Sequence, residues 1–551
     1  MSLRSRLRRP LPALLVVSAL ALAARLLWLG ARVAHQDEGR LADWIFWYMQ
    51  TGAWEYRAII HAGFLPHVVP YVFQAFGMSD FTMRLLPAVV GGLLPLAAYL
   101  YRDYLDDDEV VAFGLVLAAT PALLYYTRFL RYDPFVVASM MTALGCWLHA
   151  RASGKARYLY AGTFVFALAF TMKENALLYP VAWLGALALV VDRHLLVARL
   201  RGEGVARRLR ALVASTARGL RPWLGHLAVS LVLFAVVVVL LYAPIPEVYG
   251  MFSSPDAFVS VLDSATLGSW DKFVNTWTGA HMSEHSTVSF LRRFGTILAS
   301  TATVTLAFAT VGFVRERYGS GESRDLVEFC FYWGAASILG YAIIMDVMGG
   351  WAAVHVVAPL AIPAAAGLAW VYRVGSNARR SGDRVAFGVA AALLLLASAT
   401  VGGTAAYTSY THSQDPSNPL VQYAQPAGEM KPTLHDIRDI SAEHDGIDVI
   451  FYGDEFYTAG EFDEQSSLSA ANGTYDAWFE RLPLPWYFDR YGTRVASTTR
   501  SEQLAEYDPP VVITLEKNEA AVRATIDASE YDVRHYQGYQ SGRPLVFFVR
   551  K

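Results

Sequence analysis

Cysteine and charge are both scarce in this chain. Its two cysteines, Cys146 and Cys330, fall inside hydrophobic runs, so the sequence offers neither a disulfide framework nor a thiolate metal spacing. Charged residues make up 17% of the 551 positions, where a soluble protein carries about a quarter. Internal repeats and low-complexity linkers are missing, which excludes solenoids and disfavours an inverted-repeat transporter. There is no HExxH pattern to support a zinc enzyme. After residue 411 no apolar run is long enough to cross a bilayer.

What is present is hydrophobic: 54% of the residues are apolar. Residues 12–30 and 223–243 are each long enough to cross about 30 Å of hydrocarbon at about 1.5 Å per residue. Similar runs near 84–101, 110–126, 133–150, 157–171, 174–191, 291–314, 327–346, 351–373 and 385–408 complete an expectation of eleven transmembrane helices. The first run follows Arg4, Arg6, Arg8 and Arg9, as in a signal peptide. It is long, however, and Arg25 is followed by Leu26, Leu27 and Trp28 with no small-residue cleavage site, so it reads as a retained helix.

The expected organisation is a polytopic helical membrane domain over 1–410 and an extracytoplasmic α/β domain over 411–551. In the latter, β-rich runs at 447–452, 510–515 and 544–549 surround a polar helical stretch at 516–529. Two large loops, 31–80 and 244–290, interrupt the membrane domain. The first holds Trp44, Phe46, Trp47, Tyr48, Trp54 and Tyr56, a composition that predicts interfacial helices with their apolar side towards lipid.

Charge sets the orientation. From residue 412 onward there are 23 acidic and 12 basic residues, a net of −11, which leaves +9 for the rest of a chain whose total is −2. The basic residues border hydrophobic spans, which is a topology signal rather than a nucleic-acid footprint. With a cytoplasmic N-terminus, the inside segments hold 23 Lys and Arg and the outside loops hold 7. That bias predicts a multi-pass cell-membrane protein with its C-terminal domain outside. The sequon Asn472-Gly473-Thr474 falls in the segment expected to be external.

Several polar residues then map to one membrane face. His35-Gln36-Asp37-Glu38 follows the first helix, with Arg40 just beyond. Asp37 and Glu38 fit two roles, accepting a proton from an attacking hydroxyl or coordinating a cation on one reading, capping the next helix on the other. Tyr125 to Pro134 brings Arg128, Arg131 and Asp133 among aromatics, a set suited to a phosphorylated ligand, though Asp133 before Pro134 also starts a helix. Lys173 is either a point charge for phosphate or the partner of Glu174 in an ion pair. His355 lies about one turn into the tenth helix, as a packing residue or a catalytic one. His61 is a further candidate, and His281 with His285 has the i,i+4 spacing of a metal pair. The metal is left unknown, with a divalent cation open.

The ordered set of motifs is similar to GT-C membrane glycosyltransferases of the protein O-mannosyltransferase and aminoarabinose transferase type, and most of all to archaeal flippase-activity-associated proteins. It comprises His35 to Glu38, Ser79 to Pro87 with Arg84, Tyr125 to Pro134, Thr171 to Asn175, Trp351 to Pro359 with His355, and Asn418 to Gln425, and so covers essentially the whole chain. The resemblance implies transfer of a sugar from a polyprenyl (dolichyl) phosphate to a glycan or protein acceptor outside the cytoplasm. It implies Asp37 as general base in an inverting displacement, Glu38 in support, and Arg128, Arg131 or Lys173 on the lipid phosphate. Two rival functions are a component that translocates lipid-linked sugars and a non-catalytic partner that presents substrates. Few intramembrane charges, Arg25 and Asp346 near helix ends, disfavour a polar path through the bilayer.

Overall fold

The structure, a computed structural model, describes residues 10–277, 286–319, 324–345, 347–421, 424–464, 475–538 and 544–551. Arg4 to Arg9, His281, His285, Asp346 and the Asn472 sequon lie outside them. The chain forms two compact units: 1–27, 53–65 and 87–411 in one, 28–52, 66–86 and 412–551 in the other. Most of the loop 31–80 thus groups with the C-terminal segment rather than with the membrane helices.

The first unit is helical. All eleven expected runs form helix, but not eleven equal spans. Among the described residues, seven helices are long and apolar enough to cross a membrane, or eight if the pair Thr287–Thr301 and Thr303–Tyr318, bent by 92° at Ala302, counts as one. Pro10–Leu26 and Ala156–Phe170 are shorter apolar helices. The run near 110–126 is divided into Asp107–Ala119 and Pro121–Tyr126, because Pro121 cannot donate into the helix before it.

Ala353–Ser381 is the central element. With its leading turn, its most apolar stretch is 94% buried, against 6% for the span Arg384–Thr411 and 11% for Val205–Tyr242. The former is core, and the latter two present apolar sides outward, as lipid requires. Gly312 and Gly367 let the helix Thr303–Tyr318 approach it until a Cβ on Gly312 would strike the Pro363 carbonyl. Close small-residue contact of this kind substitutes in lipid for the missing hydrophobic drive.

The second unit is α/β. Its sheet consists of β1 (Val449–Tyr452), β2 (Val495–Thr498), β3 (Val511–Leu515), β4 (Tyr531–Gln537) and β5 (Pro544–Arg550), in the order β2-β1-β3-β5-β4. β1 pairs in parallel with β2 and β3, while β5 runs antiparallel to β3 and β4. The expected strands at 447–452, 510–515 and 544–549 are β1, β3 and β5, and helical turns fill 516–530. Ile450, Val512, Val546 and Phe548 join the core on one face of this sheet.

The helix Gln36–Thr51 belongs to this unit and departs from the lipid-facing expectation. Leu41, Trp44 and Ile45 are buried, and the Trp44 ring meets Trp478 edge-on at 6.0 Å. The C-terminal segment supplies the apolar partner that lipid was expected to provide.

Candidate functional site

In the helical unit, the N-terminal ends of three helices converge on Asp133, which opens Asp133–Ser153 and is 1% exposed. Lys173, just before the turn Glu174–Leu177 that leads into Leu178–Leu200, donates from Nζ to both carboxylate oxygens at 3.0 and 3.1 Å. The imidazole Nε2 of His355, near the start of Ala353–Ser381, lies 3.1 Å from Asp133 Oδ1. Asn175 Nδ2 donates to the same oxygen at 3.3 Å, and Arg131 Nε is 3.5 Å from Oδ2. A carboxylate at helix N-termini is electrostatically favoured, and so is any anion brought there.

The surrounding residues fix these groups. Tyr179 Oη is 2.6 Å from His355 Nδ1, and the Tyr341 ring stacks on the imidazole at 4.7 Å. The Arg131 guanidinium lies 4.2 Å over the Trp351 ring. Arg131, Asp133, Lys173 and His355, named separately from sequence, thus form one cluster. The Lys173–Glu174 ion pair weighed from sequence is replaced by two others. Lys173 takes Asp133, and Glu174 takes His61 Nδ1 at 2.7 Å together with Tyr56 Oη at 2.6 Å. Adjacent residues on an irregular turn point to different partners, so sequence neighbours need not pair. His61 adopts φ 62°, a left-handed conformation rare outside glycine.

Arg128 has another environment. Its Nη1 donates to the Ala24 carbonyl at 3.1 Å, and its guanidinium lies 4.5 Å over the Tyr410 ring. Arg25 returns the contact, donating from Nε to Thr127 Oγ1 at 2.9 Å.

Asp37, Glu38 and Arg40 belong to the α/β unit. His35 caps the helix Gln36–Thr51, its Nδ1 accepting from the Asp37 N–H at 3.0 Å. Glu38 accepts from the His35 N–H at 3.0 Å, closing a capping box. The capping role therefore holds for Glu38. Its carboxylate is fully buried and gripped by Arg84, from Nε at 2.8 Å and Nη2 at 2.7 Å, with Arg32 at 3.4 Å. Burial pushes this carboxyl up, but the Arg84 and Arg32 charges outweigh it and hold its pKa down at about 2. Asp37 is the more accessible of the pair, 20% exposed, with Arg40 Nη2 at 2.8 Å. One carboxylate is locked into the fold, and its neighbour, paired with Arg40 and 3.8 Å from His35 Nδ1, is partly open to solvent.

Sequence reasoning missed the partners that come from far along the chain. Tyr179 and Tyr341 sit in apolar helices with no pattern to mark them, while Asn175 and Arg84 stand in motifs that do not reveal their partners. A second buried carboxylate, Asp43, accepts from Trp478 Nε1 at 2.8 Å. Burial first, and then the hydrogen-bonded Asp489 carboxyl, push its pKa well up. An aspartate on the apolar side of a Trp-rich helix was the available signal. Among the described residues, no group of three or more His, Cys, Asp or Glu is arranged to hold a metal ion.

Comparison with known proteins agrees with this architecture. Residues 61–202 match the model of the dolichyl-phosphate-mannose-protein mannosyltransferase family. Residues 430–550 match the Agl23 flippase-associated protein C-terminal domain. No curated protein matches the chain. Among solved structures, ArnT from Cupriavidus metallidurans, known in an apo state and bound to undecaprenyl phosphate, superposes with a TM-score of 0.56 at 16% identity, over 97% of each chain. The Archaeoglobus fulgidus oligosaccharyltransferase superposes at 0.51 and 13% identity, over 96% of this chain and 74% of its own. The oligosaccharyltransferase AglB from Archaeoglobus fulgidus, in complex with an inhibitory peptide and a dolichol-phosphate, gives 0.50 at 12% identity, over 98% and 74%. The protein is thus a multi-pass membrane protein with the fold of the GT-C glycosyltransferase superfamily and an Agl23-type C-terminal domain.

Proposed function

We propose that this protein is an inverting glycosyltransferase that moves a sugar from a polyprenyl (dolichyl) phosphate to a glycan or protein acceptor on the extracytoplasmic side. The observation that carries the reading is the cluster at Asp133, where Lys173, Arg131 and His355 meet at three helix N-termini. Fixed cations and helix ends stabilise the charge that develops on a leaving phosphate without reorganising during the reaction. Arg131 and Lys173 hold the donor phosphate, with Arg128 as a further candidate cation for it. Asp37 takes the proton of the acceptor hydroxyl as it attacks the anomeric carbon, the sugar–phosphate bond breaks, and the electron pair leaves on the phosphate. Glu38, tied to Arg84 and Arg32, fixes the turn that presents Asp37. The ligands named in the related structures, undecaprenyl phosphate and dolichol-phosphate, support this donor class, and the bias of Lys and Arg supports the orientation.

The test is an Asp37→Asn variant in the native cell. Surface glycans lose the transferred sugar, and its lipid-linked form builds up on the outer leaflet, at normal protein level. Unchanged glycans would remove Asp37 as the base.

The match of 430–550 to a flippase-associated domain favours a second reading, participation in moving the lipid-linked sugar across the bilayer. The same experiment separates the two, since a translocation defect accumulates the lipid-linked sugar on the cytoplasmic leaflet.

A further inference from the structure

The helix Val205–Leu220 buries none of its residues. On a helical wheel Val205, Leu209, Leu212, Val213 and Leu220 share one face, with Arg207 and Arg218 opposite them. Its apolar side is bare, with Leu209 43% and Val213 61% exposed. Residues 205–221 carry five arginines and no acidic residue.

Length shows where this helix lies. Leu224–Tyr242 has 19 residues, about 28 Å of helix, and so spans a hydrocarbon layer of about 30 Å by itself. The 16 residues of Val205–Leu220 therefore have no room inside the same layer, and the short turn Arg221–Trp223, which contains Pro222, separates them from the span. Trp223 stands at the junction, the position where an indole marks the membrane interface. The basic amphipathic segment therefore begins at the headgroups.

From this arrangement we infer that Val205–Leu220 binds an anionic lipid surface, its apolar face in the headgroup–acyl boundary and its arginines on lipid phosphates. The occupant follows from charge complementarity and from continuity with a membrane-spanning helix. A neutral surface would satisfy the leucines and valines but not five cations.

The test uses the full chain carrying Val213→Cys, labelled with a nitroxide, in vesicles of phosphatidylcholine with or without phosphatidylglycerol. Cys146 and Cys330 are buried, so the label reports on position 213. With phosphatidylglycerol, collision with oxygen rises and collision with a water-soluble nickel complex falls. High salt reverses the change, and each of Arg207→Gln, Arg210→Gln and Arg218→Gln weakens it by about fivefold. The salt arm needs no arginine variant. Equal nickel accessibility in both vesicle types would overturn the inference. So would protection that is indifferent to lipid charge but rises with protein density, which would assign the face to a second copy of the chain.

Discussion

Asp37 and Glu38 are sequence neighbours in different surroundings, the first partly open to solvent and the second fully buried. Glu38 has two buried guanidiniums within reach and no exposure, so removing its charge leaves Arg84 and Arg32 buried without their counter-ion. Glu38→Gln is expected to destabilise the α/β unit by about 3–5 kcal/mol, read as a fall in the thermal unfolding midpoint in detergent. Asp37→Asn leaves that midpoint nearly unchanged. Equal stability of the Glu38→Gln protein would mean that the arginines find other acceptors. The pH dependence has a definite sign. The folded-state pKa of Glu38 is depressed from 4.5 to about 2, so its contribution of about 3 kcal/mol is complete above the unfolded value and is lost as pH falls from about 4.5 towards 2. An acid titration of the unfolding midpoint that is flat through this window would contradict it.

At the scale of elements, the helix Gln36–Thr51 meets the helix Leu484–Tyr491 through Asp43 and Asp489, two carboxyl groups that share a hydrogen bond. The raised pKa of Asp43 reverses the sign found for Glu38, since its contribution is complete below the ordinary Asp range and is lost as pH rises through the folded value. Asp43→Asn keeps the bond donor and removes the titration, so this variant should exceed the parent at alkaline pH by about 1–3 kcal/mol and match it at acid pH. A variant that is less stable throughout would remove the shared proton. In the helical unit, Gly312→Ala presses a methyl group against the Pro363 carbonyl and is expected to cost about 1–3 kcal/mol, with Gly295→Ala, where a Cβ meets nothing, as the control. Much of this scale was legible in the sequence. Continuous apolar runs gave the helices, and β1, β3 and β5 are buried strands with matching apolar runs. β4 (YDVRHYQ) escaped because an edge strand carries polar residues against pairing with other chains, and β2 because its Val-Ala-Ser-Thr makes no apolar run although all four residues are buried. Within the candidate site the charged members were legible, since charge beside a membrane helix stands out. The tyrosines were not, because periodicity reports which face is buried but not which distant residue meets it.

At the scale of the whole molecule, the proposal needs one compartment to receive the C-terminal domain and the opposite one to receive the short basic loops. The charge bias predicts which is which, and two surface positions test the prediction directly. Arg379 is exposed at the basic end of Ala353–Ser381, and Glu506 is exposed on the C-terminal domain. Both native cysteines are buried, so a thiol reagent meets little background. In intact cells a membrane-impermeant maleimide should label Glu506→Cys and leave Arg379→Cys unmodified until the membrane is opened. Charge at loops shorter than about 60 residues is what biases insertion, so neutralising Arg379, Arg380 and Arg384 together should weaken the preference at that end and raise the outside labelling of position 379. The reverse pattern in the unaltered background, position 379 labelled and position 506 protected, would place the C-terminal domain in the cytoplasm. The acceptor would then have to be cytoplasmic, and the extracytoplasmic transfer would fall even if Asp37 proved to be a base.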